Sequence, residues 1–180
     1  MKQPVMRILF PRGEIAARIS DMAKQIDHDY QGQEIFMIGI LKGSFLFIAD
    51  LIREVQTPSI VDFMRIASYG SETQSSGIIE FRKDLELSIK GRHVLIVEDI
   101  VDSGQTLSAL LERLRQRDPA SLRVCTLVDK RTARVSDVQV DYAGFPMDDG
   151  FIVGYGLDWD EKYRDLADIF LVDQHSGETE

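Results

Sequence analysis

Ten consecutive residues, 97–106 (VEDIVDSGQT), concentrate the groups that could do chemistry. Glu98 and Asp99 are adjacent carboxylates, and Asp102, Ser103, Gly104, Gln105 and Thr106 follow as a turn containing hydroxyls and a glycine. Hydroxyls, a flexible glycine and the free N–H groups of a helix start make an anion site suited to a phosphate monoester. Carboxylates facing that phosphate would repel it, so the acid pair suits a diol or a Mg²⁺ ion instead. Taken alone, DxxDSGxT is equally an Asp-capped helix start. The apolar strand before it, the acid pair and the phosphate-type loop together favour the chemical reading. The lysine of GxxxxGK[ST] is missing here and the motif occurs nowhere in the chain, which argues against a nucleoside triphosphatase.

The elements that must position these groups are legible in the apolar pattern. Ile15, Ile19, Met22 and Ile26 fall at helical spacing and predict a helix over about 13–30. Residues 35–41 (IFMIGIL), 93–98 (HVLIVE) and 122–128 are continuous apolar runs, which suit strands buried on both faces. Helices are expected over 44–55 and over about 104–117, the latter marked by Leu107, Leu110, Leu111 and Leu114 and ended by Asp118-Pro119. Residues 59–68 and 78–82 read as further strands, with 69–77 (YGSETQSSG) a polar loop between them. Strands alternating with helices imply an α/β fold with a parallel sheet and right-handed crossovers, whose ligands bind at the carboxyl ends of the strands. Beyond Asp137 the pattern changes to short strand-like pieces at 138–142, 151–155 and 169–172, expected to form a small C-terminal hood over the strand ends. The reading is one domain over 1–180, with about 138–175 contributing the hood.

Composition narrows the function classes. The chain has 180 residues, 44% hydrophobic and 28% charged, the profile of a globular protein with a full core. A net charge of −9 argues against non-specific nucleic-acid binding. No segment approaches the roughly 20 apolar residues of a membrane span, and no leader pattern opens the chain, so a cytoplasmic protein is expected. The single cysteine, Cys125, lies in an apolar run and reads as an inert buried thiol. His28, His93 and His175 are scattered, with no HExxH, and GxSxG is absent.

The segment VEDIVDSGQT resembles the phosphoribosyl-pyrophosphate signature of type I phosphoribosyltransferases, and its ED pair and IVDSG resemble the hypoxanthine-guanine branch most closely. Further matches run from about Phe36 to Asp173. Leu41-Lys42-Gly43-Ser44 is similar to the family's pyrophosphate loop, where the Leu–Lys peptide is often cis. Ser68-Tyr69-Gly70 is similar to the start of a mobile lid, which would keep water from a cationic ribosyl intermediate. By the resemblance, Lys130 donates to a purine 6-oxo group, which suits hypoxanthine or guanine and disfavours adenine. Phe151 stacks on the base, and Ile152 offers its main chain to the base edge. Asp158 lies beside the base and holds a metal ion near the pyrophosphate, and Arg164 binds pyrophosphate oxygens, with Arg134 in support.

The resemblance thus implies transfer of 5-phosphoribosyl to a 6-oxopurine. Phosphoribosyl pyrophosphate is held by Lys42, Gly43, Glu98, Asp99, Asp102, Ser103, Gly104, Gln105, Thr106 and Arg164. Mg²⁺ is held by Glu98, Asp99 and Asp158, and Asp102 acts on the base proton. Relatives are commonly oligomeric, so a homodimer or homotetramer is implied. Three departures stand out: Gln105 where many relatives carry Lys, and Gly156 and Trp159 in place of the common Ala and Tyr. Trp159 puts fine base preference in question, and neither Lys130 nor Phe151 ranks xanthine against guanine. Rival readings are a nucleotide-sensing regulator that binds RNA or DNA, disfavoured by the acidity and the lack of room for an added domain, an enzyme for another base, and a purely structural α/β domain.

Overall fold

The apolar run at 35–41 forms strand β2 (Ile35–Leu41), the centre of a six-stranded sheet. Its residues alternate between two cores. Ile35 and Met37 face a layer made by α1 (Arg12–Asp29) and α2 (Phe45–Glu54), whereas Phe36, Ile38 and Ile40 face α3 (Gln105–Arg115). A strand covered on both faces has no solvent side, which explains the lack of polar alternation. The helical stripe Ile15, Ile19, Met22 and Ile26 is buried on α1, and Leu107, Leu110, Leu111 and Leu114 are buried on α3. Each such side chain contributes roughly 1.5–3 kcal/mol of transfer free energy. The structure is a computed structural model describing residues 4–71 and 74–173, with the side chains of 67–79 excepted.

With β3 (Ser59–Ser71), β4 (Gln74–Lys83), β5 (His93–Val101), β6 (Ser121–Lys130) and β7 (Tyr142–Met147), the main sheet runs β4-β3-β2-β5-β6-β7. All pairs are parallel except β3–β4, which is an antiparallel hairpin. The parallel strands β2, β5 and β6 are neighbours, so their carboxyl ends lie side by side. This is the α/β parallel-sheet architecture expected from the alternation of elements.

Three expectations are corrected. The polar stretch 69–77 is not a loop throughout: β3 continues to Ser71 and β4 begins at Gln74, with Tyr69 opposite Ile78 and Ser71 opposite Gln74. The two polar segments satisfy each other's backbone groups, which a loop reading from composition does not anticipate. The expected strand at 138–142 lies instead at 142–147, and it pairs with β6 in the main sheet rather than forming part of the hood. The hood sheet is built from β8 (Phe151–Val153), β9 (Ile169–Asp173) and, unforeseen, the N-terminal strand β1 (Val5–Phe10). β9 is its middle strand and pairs antiparallel with both neighbours. Half-exposed and short, β1 carries too weak an alternation to announce itself in the sequence.

Candidate active site

At the carboxyl end of β5 the chain leaves the sheet through Asp102-Ser103-Gly104 and enters α3. Gly104, not Asp102, occupies the N-cap, with φ of +79°, a left-handed conformation that glycine adopts without a side-chain penalty. A Cβ there would also lie 2.8 Å from the Arg134 side chain. The N-cap makes no side-chain hydrogen bond, and the Gln105 N–H donates to Ser103 Oγ at 3.4 Å, so the reading of Asp102 as a plain helix cap does not hold. Ser103 is held from behind, because its carbonyl accepts the backbone N–H groups of Val135 and Ser136 at 3.0 and 3.1 Å. Arg134 anchors that backing loop, donating to the Val138 carbonyl at 2.7 Å and pairing with the buried Asp129.

Next to this turn, Leu41-Lys42-Gly43 leaves β2 with a cis Leu41–Lys42 peptide. A Cβ on Gly43 would fall 1.7 Å from Asp99 Oδ2, so only glycine lets the buried Asp99 carboxylate stand against this loop. Gly156, with φ of +96°, approaches from the other side; a Cβ there would lie 2.1 Å from the Gly43 carbonyl oxygen. The glycine that departs from the common alanine thus lets the two loops touch. Arg164 is tied to the same place: it donates to the Gly156 carbonyl at 2.8 Å and pairs with Asp158 at 2.8 Å. Its Nε is buried without an acceptor among the described residues.

These segments enclose a cavity of about 310 Å³. Its wall includes Lys42, Gly43, Glu98, Asp99, Asp158 and Arg164, and its floor is the turn through Ser103, Gly104 and Thr106. Lys42 and Arg164, 122 positions apart in the chain, therefore meet around one space. Gln105, at the start of α3, is exposed and lies outside that wall.

A second cavity, of about 860 Å³, opens alongside, walled by Lys130, Asp149, Gly150, Phe151 and the hood strands. Asp102 lines both cavities. Lys130 is buried at the end of β6 and its Nζ lies 3.4 Å from Asp102 Oδ2. Phe151 packs edge-to-face against Trp159, ring centroids 5.6 Å apart, so the unusual tryptophan touches the aromatic expected to stack on a base. The Ile152 side chain is buried in the core, leaving only its main chain for a ligand. Asp158 faces the smaller cavity rather than the larger. Ser68 and Tyr69 lie on β3, and their side chains are outside the described residues. Val5 and Arg7 of β1 also line the larger cavity and were missed in the sequence, where nothing links residue 7 to residue 151.

The acid pair has a distinctive electrostatic state. Glu98 is pushed well above the usual carboxylate range, first by burial and then by the adjacent Asp99 carboxylate. A cation or a diol at this point would relieve the repulsion. No cluster of three or more acidic, histidine or cysteine ligands exists among the described residues. The two adjacent carboxylates would suit an ion such as Mg²⁺, which takes one or two carboxylates and completes its shell with water and substrate oxygens.

The model of the phosphoribosyl transferase domain matches residues 8–160. The chain belongs to the phosphoribosyltransferase family. Among curated proteins, this phosphoribosyltransferase is 48% identical over 179 residues to the hypoxanthine phosphoribosyltransferase of Salmonella typhimurium, covering 97% of this chain and 100% of that one. It is 47% identical to the hypoxanthine-guanine phosphoribosyltransferase of Mycobacterium tuberculosis over 175 residues, 94% of this chain and 87% of that protein. Among solved structures, a hypoxanthine phosphoribosyltransferase from Staphylococcus aureus superposes with a TM-score of 0.91 at 38% identity, covering 96% of this chain and 94% of that chain. No described helix is long and apolar enough to cross a membrane.

Proposed function

We propose that this phosphoribosyltransferase serves purine salvage, transferring 5-phosphoribosyl from phosphoribosyl pyrophosphate to hypoxanthine or guanine and releasing pyrophosphate. The observation that carries the reading is Asp102 on the boundary between a small polar cavity and a larger one containing Lys130 and Phe151. The relatives' names point to the same substrates.

In this reading the Ser103–Thr106 turn, Gln105 included, receives the 5-phosphate through backbone N–H groups and hydroxyls at the start of α3. Glu98 and Asp99 hold the ribose hydroxyls, directly or through a metal. Lys42, the Gly43 backbone and Arg164 hold the pyrophosphate, whose growing negative charge is where preorganised donors act most strongly. Lys130 donates to the 6-oxo oxygen, Phe151 stacks on the ring, and the Ile152 main chain reads the base edge, while Asp158, in the wall of the smaller cavity, stands on the pyrophosphate side. As the C1′–pyrophosphate bond breaks and the N9–C1′ bond forms, Asp102 accepts or polarises the base N7 proton, with Lys130 Nζ 3.4 Å from its carboxylate. Glu98, Asp99 and Asp158 would hold a Mg²⁺ ion, which would supply charge neutralisation to the pyrophosphate. Ser68 and Tyr69 act as lid residues that keep water out. A homodimer or homotetramer belongs to the same reading, and sedimentation velocity measures it.

The test is nucleotide formation from hypoxanthine, guanine, xanthine and adenine, each with phosphoribosyl pyrophosphate, with and without Mg²⁺. Hypoxanthine or guanine is expected to be used and adenine refused, and Lys130→Ala is expected to erode that difference. Equal use of adenine by the wild type would overturn the base assignment.

A further inference from the structure

The two cations that line the smaller cavity are already in contact with an anion of the protein itself. Glu161 Oε2 lies 2.8 Å from Lys42 Nζ and 3.1 Å from Arg164 Nη2, so a single carboxylate oxygen bridges both. Glu161 does not line the cavity; it stands at its mouth with its side chain 62% exposed. Its carboxyl is held below the usual range, by Lys42 first and Arg164 next.

The backbone presents Glu161 there by construction. Trp159 and Lys162 exchange backbone hydrogen bonds at 3.2 and 3.1 Å, closing a two-residue turn whose central residues are Asp160 and Glu161. Both have positive φ, +53° and +63°, the requirement of a type I′ turn. Turns of this kind favour Asn and Gly, and a glutamate in the left-handed region is uncommon. The Glu161 N–H also donates to Asp158 Oδ2 at 2.9 Å, which locks the turn to the wall of the cavity. A glutamate is thus kept in an unfavoured conformation at the point where its carboxylate reaches Lys42 and Arg164.

We propose that Glu161 is an internal counter-anion of the leaving-group subsite, holding Lys42 and Arg164 until pyrophosphate displaces it and returning to them as pyrophosphate leaves. The inference rests on the assignment of Lys42 and Arg164 to pyrophosphate above. An anion that must be displaced lowers the apparent affinity of any competing anion, because part of the binding free energy goes to breaking the existing pairs. Ground-state binding of pyrophosphate is thereby weakened and product release made faster. The expected cost is small, because the Glu161 carboxylate and Lys42 are well exposed, although Arg164 is mostly buried.

The experiment is calorimetric titration of the full chain with inorganic pyrophosphate in the presence of Mg²⁺, for wild type, Glu161→Gln and Glu161→Ala. Both variants are expected to bind pyrophosphate about three- to tenfold more tightly than wild type. Affinity for the purine nucleotide monophosphate, which lacks pyrophosphate, is expected to stay within about twofold. The gain is expected to shrink when Lys42→Gln is added, as a double-mutant cycle measures. Unchanged or weaker pyrophosphate binding in both variants would overturn the proposal and leave Glu161 as a residue that orients the cations. If wild type and variants alike fail to bind pyrophosphate while nucleotide still binds, the pyrophosphate assignment itself falls and the proposal with it.

Discussion

Asp102 stands in the wall of both cavities, with its side chain about half exposed and 3.4 Å from the buried Lys130 ammonium. A group there can reach a base entering from one side and a sugar held on the other. Asp102→Asn keeps the shape and removes the proton acceptor, so kcat is expected to fall about 10²–10⁴-fold with substrate affinity largely retained. Steady-state kinetics with hypoxanthine checks this, and near wild-type turnover would sink the role. Gly43 makes a steric prediction. Because a Cβ would sit 1.7 Å from Asp99 Oδ2, Gly43→Ala must push either the loop that follows β2 or the acid pair out of place. Nucleotide formation is expected to fall at least about tenfold, since displacements near 1 Å can cost that much or more. Far-UV circular dichroism should stay unchanged.

The elements matter through what stands behind them. The turn before α3, which lines the smaller cavity, is braced on its far side by residues 131–138, through the bonds from Val135 and Ser136 to the Ser103 carbonyl. That brace depends on Arg134, which spans the Val138 carbonyl and Asp129. Asp129 is 3% exposed, so removing its inner partner leaves a charge in a poorly solvated place. Arg134→Met is expected to destabilise the protein by about 2–4 kcal/mol, somewhat less than loss of a sole buried partner because Arg131 also reaches Asp129. KM for phosphoribosyl pyrophosphate is expected to rise in parallel. Denaturant titration and saturation kinetics test the two halves, and a change in stability alone would separate the brace from the phosphate turn.

Across the whole molecule, acidic residues tie the segment after β4 to the sheet and to α3. Asp62 is buried on β3; burial opposes its ionisation and is outweighed by the backbone N–H groups of Phe63, Glu86 and Leu87 and by Lys83, so its carboxyl lies below the usual range. Asp84 is lowered further, by the Arg117 guanidinium against the opposing effect of burial and then by Arg113. A carboxyl lowered by folding stabilises the native state above its unfolded pKa, and that contribution disappears as pH falls through the lowered native value. Stability from these groups is therefore full at neutral pH and is expected to decline below about pH 4. Urea midpoints measured from pH 7 to pH 3 check this, and Asp62→Asn should flatten the decline. A steady loss beginning at pH 6 would assign acid sensitivity to other groups.

The sequence by itself determined the parallel α/β core, because strands buried on both faces and helices with one apolar stripe leave a local periodic record. It also placed the hydroxyl-bearing turn beside the acid pair, because Glu98, Asp99 and residues 102–106 lie within nine positions of one another. Lys42, Lys130, Phe151 and Arg164 were legible through short family-like segments, not through any local physical signal. Only the tertiary structure decided that β1 joins the hood and brings Arg7 to the larger cavity, that β7 belongs to the main sheet, and that residues 69–71 and 74–77 pair as strands. Strand partnership of short polar or half-exposed segments depends on edges formed elsewhere in the chain. The same holds for Glu161, whose bond to Lys42 crosses about 120 residues and whose placement depends on a left-handed turn that no residue preference announces. Local pattern fixes what an element is, and contacts across the chain fix what it meets.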